Sequence, residues 1–238
     1  MTNILGILMA SAICAFFIAI VISFPPFLTG PLDYPSVSGD LMFTDNPFSD
    51  MRDNWSSGMY SVEYRNIYDD YTIPVTYELV NMLSNDYPCA NEQFAVLSKD
   101  NVPIAVDIAF TSKVAMSVEI TGEITPGSYV LHSHPLQTCG DFAEIDVATF
   151  PSPRDLISES SEGVDDIIIV TKMSNTTARA SRVTGFMNAS DTLDKYDIYG
   201  SFLGYDPDVV GRMFDEAGIR YRYFTITVYE NKIFVTGD

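Results

Sequence analysis

Residues 4–24 carry no charged side chain and little that is polar beyond Ser11 and Ser23. Twenty-one residues at a helical rise of 1.5 Å match roughly the 30 Å hydrocarbon core of a bilayer. A helix that packs on a soluble core keeps a polar face, and this run has none. It also exceeds the apolar region of a cleaved signal peptide, and neither Lys nor Arg precedes it. The expected organisation therefore begins with a transmembrane anchor over residues 1–28. No Lys or Arg flanks the run before Arg52, so the N-terminal amine alone favours an inside N-terminus and an extracytoplasmic domain.

Pro25, Pro26, Gly30, Pro31 and Pro35 end the helix and open a stiff linker. Residues 29–71 are expected as linker and as a segment laid on the domain, because Phe43, Phe48, Trp55 and Tyr60 punctuate their acids. Val75, Leu79, Val80 and Leu83 have helical spacing over 74–83. Val-, Ile- and Phe-rich runs at 93–98, 104–110, 113–120 and 128–133 read as strands, and 167–173 and 178–186 as two more. The run at 167–173 is apolar throughout its first half, which suits a central strand. A helix over 206–217 ends at Gly218, and 221–229 with 232–235 forms a hairpin over Glu230-Asn231. The pattern predicts a mixed α/β domain with helices flanking a sheet.

The chain has 32 acidic and 13 basic residues, a net charge of −19. Such a surface repels phosphates, which excludes nucleic acid as a partner class. Three cysteines are too few for a disulfide framework or a four-cysteine zinc site.

Both histidines of the chain stand together, in Val130-Leu131-His132-Ser133-His134-Pro135. Positions i and i+2 of a strand share a face, so His132 and His134 form a natural pair of zinc ligands at a strand end. Asp155, in Ser152-Pro153-Arg154-Asp155, is the candidate third ligand. The same four residues also read as a helix cap, with Ser152 at N-cap, Pro153 at N1 and Asp155 at N3. The two readings are compatible, because a capped helix start can aim a carboxylate at a metal. Asp141, Glu144 and Asp146, in the loop between His134 and Ser152, are alternative oxygen donors.

The order His132-Ser133-His134-Pro135, then Ser152-Pro153-Arg154-Asp155, resembles the JAMM motif of MPN-plus (JAB-domain) zinc metalloproteases. The Pro151-Ser152-x-x-Asp155 form is similar to RadC-like members of that superfamily. The resemblance covers about residues 72–187 and implies an MPN/JAB-like sheet flanked by helices. A catalytic domain over 72–190 and a C-terminal extension over 191–238 follow from it. It also implies a glutamate near the start of the first core strand, and Glu92 matches, whereas Glu119 and Glu123 fall one strand later. The family spacing between the second histidine and the serine is seven residues; here it is seventeen. The implied ligands are His132, His134 and Asp155 on Zn2+, with Glu92 as general base and Ser152 as oxyanion donor. The implied reaction is hydrolysis of an amide or isopeptide bond in a protein or peptide substrate, including ubiquitin-like conjugates. A membrane-tethered, non-catalytic scaffold of the same family is the rival class, and it is expected to lack the ligands. Cys89 and Cys139 would flank such a site, either as free thiols or as a disulfide over the inserted loop.

Overall fold

The computed structural model describes residues 47–67, 69, 71–84, 92–108, 123–134, 137–138, 141–142, 149–203 and 206–238. The expected anchor at 1–28, the expected strand at 113–120, and Cys89, Cys139, Glu119, Glu144 and Asp146 lie outside these residues. Among the described residues no helix is long and apolar enough to cross a membrane.

Among the described residues five α-helices and ten strands follow one another, the helices being α1 (Pro47–Asn54), α2 (Tyr77–Ser84), α3 (Pro153–Ser161), α4 (Ser190–Leu203) and α5 (Pro207–Ala217). The strands are β1 (Ser61–Arg65), β2 (Gln93–Leu97), β3 (Pro103–Ile108), β4 (Tyr129–Ser133), β5 (Gln137–Thr138), β6 (Asp141–Phe142), β7 (Asp166–Lys172), β8 (Thr177–Thr184), β9 (Arg220–Tyr229) and β10 (Lys232–Gly237). Eight strands form one mixed sheet in the order β1-β10-β9-β8-β7-β4-β2-β3. The β1/β10 and β4/β7 pairs are parallel and the others antiparallel. β5 and β6 pair with each other as a separate two-stranded ladder inside the expected 135–151 loop.

The central position expected for β7 is the one it occupies, between β4 and β8. Its side chains alternate between two cores. Ile168 and Val170 enter a cluster with Phe48, Met51, Leu79, Leu131 and Phe224. Ile167 and Ile169 enter the opposite cluster with Val130, Leu156, Phe186, Tyr196 and Phe214. Burial on both faces is why this strand tolerates no polar alternation. Each fully buried Ile contributes about 1.5–3 kcal/mol.

α1 and α2 supply the first cluster through Phe48, Met51, Leu79 and Leu83. α2 starts at Tyr77 rather than at Pro74 because Thr76 caps it, its hydroxyl accepting the Leu79 amide at 3.2 Å. α5 is bounded as its sequence suggests: the Asp206 side chain accepts from the Asp208 and Val209 amides, and Gly218 takes a left-handed φ of 73°.

Residues 47–71, expected as a segment laid on the domain, supply a helix, an edge strand and core side chains to the unit Phe43–Asp238. Tyr71 anchors the end of that segment. Its hydroxyl bonds the carbonyls of Arg182 and Arg220, and both guanidinium groups lie over its ring. Arg182 also forks onto partly buried Asp166 and donates to the Thr72 carbonyl.

Candidate metal centre

β4 ends at the site. His132 pairs with Phe94 of β2 on one side and with Ile169 of β7 on the other. The His134 amide continues the ladder past the strand end, donating to the Val170 carbonyl at 2.9 Å. The backbone therefore keeps strand geometry through both histidines, and their rings project to one face. The ring centroids are 4.7 Å apart at 79°. Ser133 points the other way and accepts the Gln93 amide at 2.8 Å, which ties β4 to the start of β2.

α3 lies on the same face as the two rings, with Leu156 in the second core beside Val130 and Ile169. Its start is a full capping box. The Ser152 hydroxyl accepts the Asp155 amide at 3.2 Å, and Asp155 Oδ2 accepts the Ser152 amide at 2.7 Å. The cap does not use up the carboxylate. Asp155 Oδ2 is also 3.4 Å from His134 Nε2, and Oδ1 is 3.8 Å from His132 Nδ1. The cap and the histidine contact coexist, as the sequence allows.

Glu92 stands one residue before β2, two positions from Phe94, whose ring meets that of His132 edge-on at 6.1 Å. Its Oε2 is 3.5 Å from His132 Nε2. The two nitrogens of His132 thus face two different carboxylates: Nε2 faces Glu92 and Nδ1 faces Asp155. The His132 side chain is buried and those of His134 and Asp155 are partly buried, while Glu92 is 36% exposed.

Electrostatics hold both acids as anions. Burial alone would raise the Asp155 pKa, but the His134 ring, the charges of both histidines and the Ser152 hydroxyl reverse this and hold it well below the ordinary range. The His132 ring beside Glu92 lowers its pKa, outweighing an upward push from burial. Glu159, one helical turn beyond Asp155, is pushed the other way. Burial, then the charges of Asp155 and Glu162, raise its pKa to about 7.

Glu92, His132 and His134 each offer a ligand atom within 4.8 Å of the other two, so this group can hold a metal ion. Two imidazole nitrogens and a carboxylate oxygen are the donor set of catalytic zinc sites. Asp155 stands against the same two rings from the α3 side. All four candidate residues therefore meet, from three separate stretches of chain, and Ser152 lies in the cap beside them. Glu123, the other candidate base among the described residues, is exposed in the segment before β4, at the strand end remote from His132.

Searches of family models, curated proteins and solved structures return no match to this chain.

Proposed function

We propose that this chain is a membrane-anchored zinc metallopeptidase of the JAMM/MPN-plus kind, hydrolysing an amide or isopeptide bond. The observation that carries the reading is the meeting of Glu92, His132, His134 and Asp155 at one end of β4, in the motif order that the sequence resembles. The mixed sheet, with a histidine-bearing strand followed by a capped helix on the same face, agrees with an MPN-like domain.

In this proposal His132, His134 and Asp155 hold the ion. Asp155 suits that task because it is partly buried and fixed by its cap, so binding orders little that was free. When bound, zinc acts as a Lewis acid and brings the pKa of a water from 15.7 to about 7. Glu92 is the partly exposed carboxylate, able to take a proton from the attacking water and deliver it to the leaving amine as the C–N bond breaks. The Ser152 hydroxyl accepts the Asp155 amide, and its own hydrogen, which faces the Asp155 carboxylate, can turn to donate to the developing oxyanion.

The 4.8 Å grouping favours a second division of roles within the same site. Glu92 is then the third ligand, and Asp155 orients His132 through Nδ1, as carboxylates behind zinc-bound histidines do.

The substrate class is a protein or peptide. An extracytoplasmic domain would face peptides or cell-wall amides, and a cytoplasmic one ubiquitin-like conjugates. The net charge of −19 argues against nucleic acid. Incubating the zinc-loaded chain with a peptide library and with isopeptide-linked conjugates tests the activity. Cleavage abolished by Glu92→Gln supports it, and a metal-loaded chain that cleaves neither class contradicts it.

A further inference from the structure

Seventeen residues separate His134 from Ser152. A carboxylate delivered after so long an insertion needs an anchor of its own, because its sequence distance from the histidines fixes nothing. The last three residues before Ser152 are Thr149, Phe150 and Pro151, and all are buried. Each is held by a different contact. The Thr149 carbonyl accepts from the Ser181 hydroxyl on β8. The Phe150 ring lies among those of Tyr196, Phe214, Tyr221 and Tyr223, with centroids 5.4–6.3 Å away. The Pro151 carbonyl accepts from the Tyr196 hydroxyl on α4 at 2.8 Å.

Chain chemistry makes the last bond consequential. Pro151 and Pro153 have no N–H, so this stretch cannot build a regular ladder, and its buried carbonyls must find side-chain donors. The Pro151 carbonyl immediately precedes the Ser152 amide, the group that Asp155 Oδ2 grips at 2.7 Å. A hydroxyl that fixes that peptide plane therefore fixes the cap, and with it the carboxylate. Ser181 gives the same segment a second tie to the sheet. It lies opposite Ile169, which lies opposite His132, so histidine and anchor are two strand spacings apart, about 10 Å, in one sheet.

We propose that Tyr196 is a positioning residue of the metal centre: its hydroxyl, with that of Ser181, sets the Pro151-Ser152 peptide from which Asp155 meets His132 and His134. The inference rests on the zinc reading above. It also assigns part of residues 191–238, expected as an extension, to the scaffold of the site.

The test uses the full chain and four proteins: parent, Tyr196→Phe, Ser181→Ala and Tyr221→Phe. Tyr221 touches the same Phe150 ring, and no hydroxyl bond of its own reaches the 149–151 carbonyls among the described residues. Zinc affinity is read by competition with a chromophoric chelator, and ligand geometry by the visible absorption of Co2+-loaded protein. Tyr196→Phe should weaken zinc about tenfold and change the Co2+ bands, as loss of a supporting hydrogen bond does. Ser181→Ala should move both in the same direction, and Tyr221→Phe should leave both at parental values. A folded Tyr196→Phe with parental affinity and spectrum overturns the inference, as does a Tyr221→Phe that shifts both equally. If Tyr196→Phe fails to fold, Ser181→Ala decides, and parental values there overturn the role. A parent that binds no zinc removes the zinc reading and this inference together, whereas a parent that binds zinc unaffected by these hydroxyls removes only the inference.

Discussion

Asp155 Oδ2 accepts the amide of Ser152 at 2.7 Å and stands 3.4 Å from His134 Nε2. One oxygen atom thus closes a helix cap and meets the histidine pair. Removing this carboxylate should have two separable consequences. In the presence of chelator, Asp155→Ala should be less stable than the parent at pH 7 by about 1 kcal/mol or more, the usual cost of a lost cap. Because the folded-state pKa is depressed, the stabilisation is present above the unfolded value near 4 and is lost as pH falls through the folded value. Thermal unfolding at pH 7 and at pH 2–3 should show the difference shrinking on acidification. With metal, Asp155→Ala should weaken zinc strongly and Asp141→Ala should not. The reverse ranking in a chelator competition would make the inserted loop the donor.

Glu92→Gln separates the two divisions of roles. A general base is dispensable for binding, so the variant should keep its zinc and its fold while turnover falls by about 10²–10⁴-fold. Loss of zinc from Glu92→Gln would instead identify Glu92 as a ligand, in line with its place in the 4.8 Å group. Metal content and peptide hydrolysis, measured on one preparation, decide between them.

The fold was legible where local chemistry is strong. The apolar run of β7, the Gly218 stop of α5, and the terminal hairpin each follow from a few residues acting on their neighbours. So did the histidine pair, since strand periodicity alone puts residues 132 and 134 on one face. α4 was not legible. Its sequence is mixed in polarity, and Leu193 and Tyr196, at i and i+3, with partly buried Tyr199 one turn on, mark its core-facing side among the described residues. Tertiary packing against the second core makes it a helix, a force no local window contains. β1 escaped for a related reason. Its parallel partner β10 lies more than 160 residues further on, and a ladder leaves no mark in one strand's sequence. The Ser181 and Tyr196 anchors needed both elements to be placed first.

Glu159 should make stability fall as pH rises. It is buried, 7% exposed, and its Oε2 has no hydrogen-bond partner among the described residues. Its folded pKa of about 7 lies above the unfolded value, so the folded state holds the proton more tightly. That contribution is full below about pH 4 and is lost as pH climbs to 7. Glu159→Gln should therefore stabilise the protein at pH 8 by something on the order of 3 kcal/mol, with little difference near pH 4. Urea unfolding of the chelated protein at both pH values checks this, and a variant less stable at pH 8 would contradict it.

Arg182→Leu should be costly because it strands Asp166. Burial pushes the Asp166 pKa up, and the Arg182 fork is what opposes this. Breaking one partner of such a pair costs about 3–5 kcal/mol, whereas removing both is far milder. Denaturant unfolding should rank Arg182→Leu well below the Arg182→Leu/Asp166→Asn double variant. Equal stability of the two would show that the pair is effectively solvated.

Elemental analysis of the purified chain, with His132→Ala and His134→Ala beside it, tests the central claim most directly. The zinc reading predicts about one zinc per parent chain and none in either histidine variant, with all three proteins folded by circular dichroism. A well-folded parent that carries no zinc and takes up none on addition of the metal would contradict it.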